Sequence, residues 1–391
     1  MRASLTACLL LLGSLLALWP TASAAEDRVI IRGNYYRERS TRVLQPMVHI
    51  TKDVPDERLT LGAAYVLDAI SSASIATGTT AVTGGDHVFT EIRHEALGTV
   101  ASKPGDWTLG GFFRYSTETD YVSRSVGSSL ARDLLQRTIN VSVSYAYNFD
   151  RVYRIVNSLG ERAPWCGGAF TLSCTGDAGG NMLQVHYLSA GYSHILHKTL
   201  VAMFNLEGAF ARGPQDNPYR GEQIPNVLHE THPNKRDRLA VSGALRWIIP
   251  EGNTVFEPRY RFYADDWGIR AHSIDSRVHV RLARHVRMRL RYRYYTQSGA
   301  FFWRDDMMYE ESPLPCSPDT PQGCSSADPK LSQWLSHTPG AQLTYELDGL
   351  SKRKGLAWLA NGWVQATYNH VFQTNRFGNA RLGSLAFSLA W

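Results

Sequence analysis

Arg287, Arg289, Arg291 and Arg293 stand at every second position of one segment, with Met288, Leu290 and Tyr292 between them. A guanidinium is a planar fork of donors matched to phosphate and carboxylate oxygens, so such a row is chemistry for holding or guiding anions. The row has neighbours of the same phase. Arg277, His279 and Arg281 alternate with Ile274, Val278, Val280 and Leu282; Arg259 and Arg261 with Phe256, Tyr260 and Phe262; and Arg246 lies between Leu245 and Trp247. These nine arginines meet only Glu257 and Asp275 on their own segments, and like charges on neighbouring strands repel. Glu91, Glu95, Glu207, Glu346 and Asp348 have the phase of the same interior and are expected on the wall opposite. Two arrangements satisfy the pattern: an Arg–Glu ladder filling a narrow interior, or a basic wall facing water, its field weakened by salt.

Strands are the elements that position such a row, because a period of two sends alternate side chains to opposite faces. Ile139, Val141, Val143, Tyr145, Tyr147 and Phe149 form an apolar face against Asn140, Ser142, Ser144, Ala146, Asn148 and Asp150. The pattern predicts strands over 28–37, 41–52, 58–70, 86–99, 106–119, 121–132, 135–149, 181–196, 200–212, 237–249, 253–265, 270–283, 286–298, 337–349, 356–372 and 379–391. That is about 16 strands, within a range of 12–16, long enough to cross hydrocarbon at a tilt. Arginine facing lipid at mid-membrane costs roughly 2–4 kcal/mol, which turns the arginines inward.

Connections sort by parity. Long ones, 71–85, 151–180, 213–236 and 299–336, alternate with short ones: Lys52 to Glu57, Lys103-Pro104-Gly105, Arg132-Asp133-Leu134, His197-Lys198, Pro250-Glu251-Gly252, Arg284-His285 and Leu350 to Gly355. Short periplasmic turns and long extracellular loops are the habit of outer-membrane barrels. The expected fold is therefore all-β: a transmembrane, antiparallel, up-and-down β-barrel.

The ends carry matching expectations. Arg2, the apolar run Leu9 to Leu18 and Ala22-Ser23-Ala24 have the form of a secretory signal over 1–24, leaving 25–391 as one barrel domain. At the other end Leu385, Phe387, Leu389 and Trp391 share one face, the form of a closing strand carrying a signal for the barrel-assembly machinery. Tyr145, Tyr147, Tyr292, Tyr294, Trp358, Tyr368, Phe372 and Trp391 are candidates for aromatic girdles at the headgroup levels, in contact with outer-membrane lipid and lipopolysaccharide.

Composition fits this class. The 391 residues carry a formal charge of +6, and mean hydropathy is −0.26 because lipid-facing and lumen-facing residues average out. The basic residues lie inside alternating strands, which argues against nucleic-acid binding. Cys166 with Cys174 and Cys316 with Cys324 form local pairs in expected outer loops and suit disulfides in an oxidising compartment. Their spacing is not that of zinc ligands. Asp305, Asp306, Glu310, Glu311, Asp319 and Asp328 make one outer loop acidic, as Asp265-Asp266 make another, without the spacing of a cation site. His229 and His232 are expected to be solvated.

No cofactor, metal site or catalytic residue is expected. Ser71, Ser72 and Ser74 near Asp86 and His87 allow a serine–histidine constellation to be drawn, but no Gly-x-Ser-x-Gly elbow supports it, and Cys-x-x-Cys-His is absent. Four segments, Asn34-Tyr35-Tyr36-Arg37-Glu38, Leu67 to Ser74, Glu91-Ile92-Arg93-His94-Glu95 and Leu290 to Gln297, resemble an uncharacterised family of Gram-negative outer-membrane barrels, a domain of unknown function. The resemblance implies a barrel and a Gram-negative host and brings no substrate or site residues. The function expected is a passive channel, or an export or uptake component, for a small anionic solute. The alternatives are a plugged barrel whose outer loops bind a partner or play a structural role, and an outer-membrane lipid-modifying enzyme.

Overall fold

A computed structural model describes residues 27–39, 41–54, 57–72, 89–155, 162–164, 181–215, 231–304, 316 and 323–391. Among these, seventeen strands form: β1 (Arg28–Arg37), β2 (Thr41–Val54), β3 (Leu59–Ser72), β4 (Phe89–Ser102), β5 (Trp107–Thr117), β6 (Tyr121–Leu134), β7 (Ile139–Ile155), β8 (Arg162–Pro164), β9 (Met182–His197), β10 (Leu200–Arg212), β11 (Lys235–Ile249), β12 (Thr254–Asp265), β13 (Arg270–Ala283), β14 (Val286–Gln297), β15 (Trp334–Glu346), β16 (Trp363–Gln373) and β17 (Ala380–Ala390). Three-residue β8 only extends the hairpin of β7. The other sixteen pair antiparallel in chain order, and β17 returns to β1, so the barrel is closed. Closure pairs every strand on both sides, which lets a sheet cross hydrocarbon without unsatisfied edges.

Alternation places large apolar side chains on one face all round the sheet. Leu44, Ile92, Val143, Phe204, Val241, Ile274, Leu290, Leu343 and Leu385 are exposed although apolar. Their chain neighbours Gln45, Arg93, Ser144, Asn205, Ser242, Asp275, Arg289, Gln342 and Ser384 occupy the other face. Six histidines join the apolar face, each with Nδ1 hydrogen-bonded to a tyrosine hydroxyl: Tyr65–His94, Tyr145–His186, Tyr192–His194, Tyr260–His272, Tyr292–His337 and Tyr368–His370, at 2.7–3.1 Å. Tyr147, Phe262, Tyr294 and Phe372 pack against four of these imidazoles. The expected aromatic girdle is thus largely a set of tyrosine–histidine pairs.

Two connections differ from the sequence expectation. The turn expected at Arg132 to Leu134 falls at Leu135 to Thr138, and Leu135, Gln136 and Arg137 all have left-handed φ, 47°, 55° and 66°. Left-handed turns ordinarily announce themselves with glycine or asparagine, and this one has neither. Strands expected over 337–349 and 356–372 are β15 and β16, ending at Glu346 and starting at Trp363, with 3-10 turns Asp348–Leu350 and Ala357–Leu359 between them. Trp358 therefore sits in a turn rather than on a girdle strand. In the expected assembly signal Leu385 is highly exposed, Leu389 is buried, and the Trp391 amide donates to the Asp27 carbonyl at 2.9 Å.

Val241 lies mid-way along β11 on the apolar face. Val241→Arg is expected to cost roughly 2–4 kcal/mol in urea unfolding from lipid vesicles, and Val241→Leu little.

Candidate functional site

The inner face is fixed by a cavity of about 310 Å3 lined by Arg93, Arg114, Tyr121, Asp150, Tyr187 and Arg238, among others, from seven strands. A cavity bounded by that many neighbouring strands of a closed sheet lies on its concave side. Arg246 is eight positions beyond Arg238 on β11 and shares its phase. Register carries that face onward, because residues directly opposite in an antiparallel pair point the same way. Ala244 stands opposite Arg259, Arg259 opposite Asp275, and Asp275 opposite Arg293. Arg277 faces Arg291, His279 faces Arg289 and Arg281 faces Arg287 across the same two strands.

Acids on the wall itself and on its flanks answer the arginines. Asp275 accepts Arg291 Nε at 2.8 Å and Arg277 Nε at 2.9 Å, and Glu257 accepts Arg259 Nε at 2.6 Å with Arg277 at 3.7 Å. Glu207, two strands away on β10, takes Arg261 at 2.6 Å; Glu346 on β15 takes Arg287 at 2.7 Å and Arg281 at 4.0 Å. Arg293 donates to Ser273 at 3.0 Å and lies over the Tyr295 ring. Arg246 and Arg289 have no carboxylate partner among the described residues, and Arg289 Nε has no hydrogen bond. Next to Arg289 runs a neutral strip in which Gln342 and Gln365 both donate to the Thr344 hydroxyl.

The acids expected opposite therefore divide. Glu207 and Glu346 flank the basic strands instead of facing them across the barrel. Glu91 and Glu95 belong to a separate mixed cluster: Glu95 lies 3.7 Å from Arg114, and Glu91 accepts the Thr119 amide at 2.8 Å. Asp348 is no wall residue at all, because it sits in the 3-10 turn after β15, bonded to His285. That imidazole holds the exposed Asp348 carboxyl below the usual range. Arg238, Arg93 and Arg114 are interior arginines missing from the sequence-based set, although Arg238 carries the phase of Arg246.

In the turn between β5 and β6, burial together with the negative charge of neighbouring acids pushes Glu118 and Asp120 up to about 7; for Glu118 the neighbours are Asp120 and Glu91, for Asp120 it is Glu91. The long-loop end also holds a small core. Trp267, Ile269, Ala300, Phe302 and Leu331 pack around Cys324, which is disulfide-bonded to Cys316. His232 is buried edge-on against Trp267 and near Phe302, contrary to the solvated state expected of it. Asp265, expected in an acidic surface loop, is enclosed and accepts Arg236 Nη2 at 2.6 Å and the Tyr263 hydroxyl at 2.7 Å. Cys166, Cys174, Ser74, Asp86, His87 and His229 lie outside the described residues, as do Asp305, Asp306, Glu310, Glu311 and Asp319.

The profile of the family described as "Protein of unknown function (DUF3570)" matches residues 85–359. The chain belongs to this family. No curated protein sequence matches it. Among solved structures it is similar to a bacterial polysaccharide outer membrane secretin (7% identity, 93% of this chain and 98% of that one, TM-score 0.50). It is also similar to CdiB from Acinetobacter baumannii (6%, 95% and 61%, TM-score 0.51) and more distantly to a BenF-like porin from Pseudomonas fluorescens Pf-5 (8%, 94% and 98%, TM-score 0.46). At these identities the likeness is one of fold: this family member has the architecture of outer-membrane barrels.

Removing the shared acid of the wall leaves Arg291 without a carboxylate among the described residues and Arg277 with only Glu257, at 3.7 Å. Asp275→Ala is expected to destabilise the barrel by about 2 kcal/mol, between the exposed and buried limits for broken ion pairs, and Asp275→Ala with Arg291→Gln by less than the sum of the two single changes. The Glu118 and Asp120 carboxyls bind protons more tightly folded than unfolded, so their stabilisation is complete below about pH 4 and fades as pH rises through 7. Amide exchange at Thr119 and Tyr121 should accelerate from pH 5 to 8 beyond the intrinsic base-catalysed trend, and Glu118→Gln with Asp120→Asn should abolish the excess.

Proposed function

We propose that this protein is a passive outer-membrane channel whose arginine wall favours small anionic solutes, phosphate- or carboxylate-bearing. The observation that carries this reading is the charge balance of β11 to β14 and their flanks. The nine guanidiniums of the expected wall meet four carboxylates, Glu207, Glu257, Asp275 and Glu346, a formal excess of five, to which Arg238 on β11 adds one while Arg236 and Asp265 pair off. Ladder pairing uses up part of the row, as Asp275 with Arg277 and Arg291 illustrates. The uncommitted donors are Arg246, Arg289 and part of Arg293, and a row of such donors offers a passing anion successive weak sites instead of one trap. The fold supports an outer-membrane location.

The loop-end core supports a second reading, a barrel with a capped mouth whose exposed loops serve a partner. Planar-bilayer recording of the refolded chain separates the two. Steady conductance with a reversal potential on the anion side of a salt gradient is expected. Arg246→Gln with Arg289→Gln should move that potential towards zero and lower conductance in dilute salt by roughly a factor of two, because screening weakens the field in concentrated salt. Electrical silence would favour the capped barrel.

A further inference from the structure

Arg37 stands directly opposite Arg381 on one side and Arg42 on the other. His370 stands opposite Arg381 and extends the row across four neighbouring strands, β16, β17, β1 and β2. The row is on the outer, apolar face. Two pairs further along the same strands come Tyr35, Leu44, Gly383 and Tyr368, with Leu385 beyond, and Tyr35, Leu44, Tyr368 and Leu385 are all exposed. All three arginines are exposed and lie at the end of the barrel that carries the long loops, beside the short connections 38–40 and 374–379. None of the three forms an ion pair with a described residue, and the nearest acid in sequence, Glu38, accepts the Tyr36 hydroxyl at 2.6 Å.

Three like charges on adjacent strands, about 5 Å apart, repel one another and lower the stability of the bare sheet. On the inner wall Asp275 and Glu257 relieve the same crowding, whereas here the described protein supplies no carboxylate. We propose that this seam binds the phosphate groups of a phosphorylated glycolipid of the outer leaflet, with Arg381, Arg37 and Arg42 as the ligating residues. Guanidinium forks bond phosphate oxygens two at a time, and a row of three spans about 10 Å, wide enough to engage more than one phosphate oxygen group. A lipid fits better than free phosphate because the row sits immediately above an apolar surface, Leu44, Leu385 and Tyr35, on which acyl chains would lie. The His370 imidazole, with Nδ1 bonded to the Tyr368 hydroxyl at 3.1 Å and its ring 4.3 Å from Phe372, keeps Nε2 for a further oxygen at the edge of the same site. The inference requires only that the long-loop end meet the outer leaflet. An electrically silent barrel leaves it standing.

The test titrates the refolded full-length chain in detergent with diphosphoryl lipid A, dephosphorylated lipid A, phosphatidylglycerol and inorganic phosphate. Diphosphoryl lipid A should bind most tightly, and R37Q/R42Q/R381Q should weaken it by about tenfold or more, the loss of several charge-assisted bonds. Lys103→Gln, at the short-turn end, should leave binding unchanged. Folding of each variant is checked by heat-modifiable migration; should the triple glutamine variant fail to fold, R37K/R42K/R381K, which keeps the charge and loses the fork, should still bind more weakly than the unaltered chain. The proposal is overturned if the folded glutamine variant binds lipid A like the unaltered chain, if the dephosphorylated lipid binds equally well, or if phosphatidylglycerol or free phosphate competes on equal terms.

Discussion

Arg28 to Arg37 on β1 pair without interruption with Ala390 to Arg381 on β17, and that seam removes the last edge from the sheet. In hydrocarbon an unpaired backbone group costs several kcal/mol, so closure is the condition under which any of these strands can cross a membrane. Closure also creates an inside. Once the sheet is a tube, the period of two becomes a division between two solvents, and every arginine in phase with Arg238 is separated from lipid by the thickness of one backbone.

Placing guanidiniums side by side is the main electrostatic burden of this arrangement. The inner wall meets it locally, with Asp275 between Arg277 and Arg291, Glu257 between Arg259 and Arg277, and Glu207 and Glu346 at the two margins. Each acid is shared or marginal, so the carboxylates are fewer than the guanidiniums they meet. The outer surface at the seam has the same crowding of Arg37, Arg42 and Arg381 without described acids. On the two readings proposed above, the rows would meet different partners, a solute in passage inside and a resident lipid outside.

Strand identity was legible because alternation is a local property. The bounds of β1, β10 and β13 coincide with the sequence expectation, and β10 and β13 each border a two-residue turn, Lys198-Thr199 and Arg284-His285 respectively. The turn at Leu135 to Arg137 was hidden because its left-handed residues carry no glycine signal, and Asp348 was misplaced because apolar spacing continues past Glu346 into 3-10 turns. The common phase of the arginines was legible; their partners were not. Which acid meets which arginine depends on strand order and stagger, and these put Glu207 and Glu346 at the margins of the basic wall where the sequence alone suggested an opposing one. The enclosure of His232 and Asp265 depends on a loop packing back on the rim, a tertiary event without periodicity.

Cysteine scanning along β14, in a background lacking the native cysteines, tests the central claim most directly. With the barrel in lipid vesicles, single cysteines at 287, 289, 291 and 293 should react with a water-soluble maleimide, whereas those at 288, 290 and 292 should resist it and be quenched, once fluorescently labelled, by lipid-borne bromine. Uniform reactivity along the strand, or the opposite alternation, would contradict an arginine row held in water on the inside of a closed sheet.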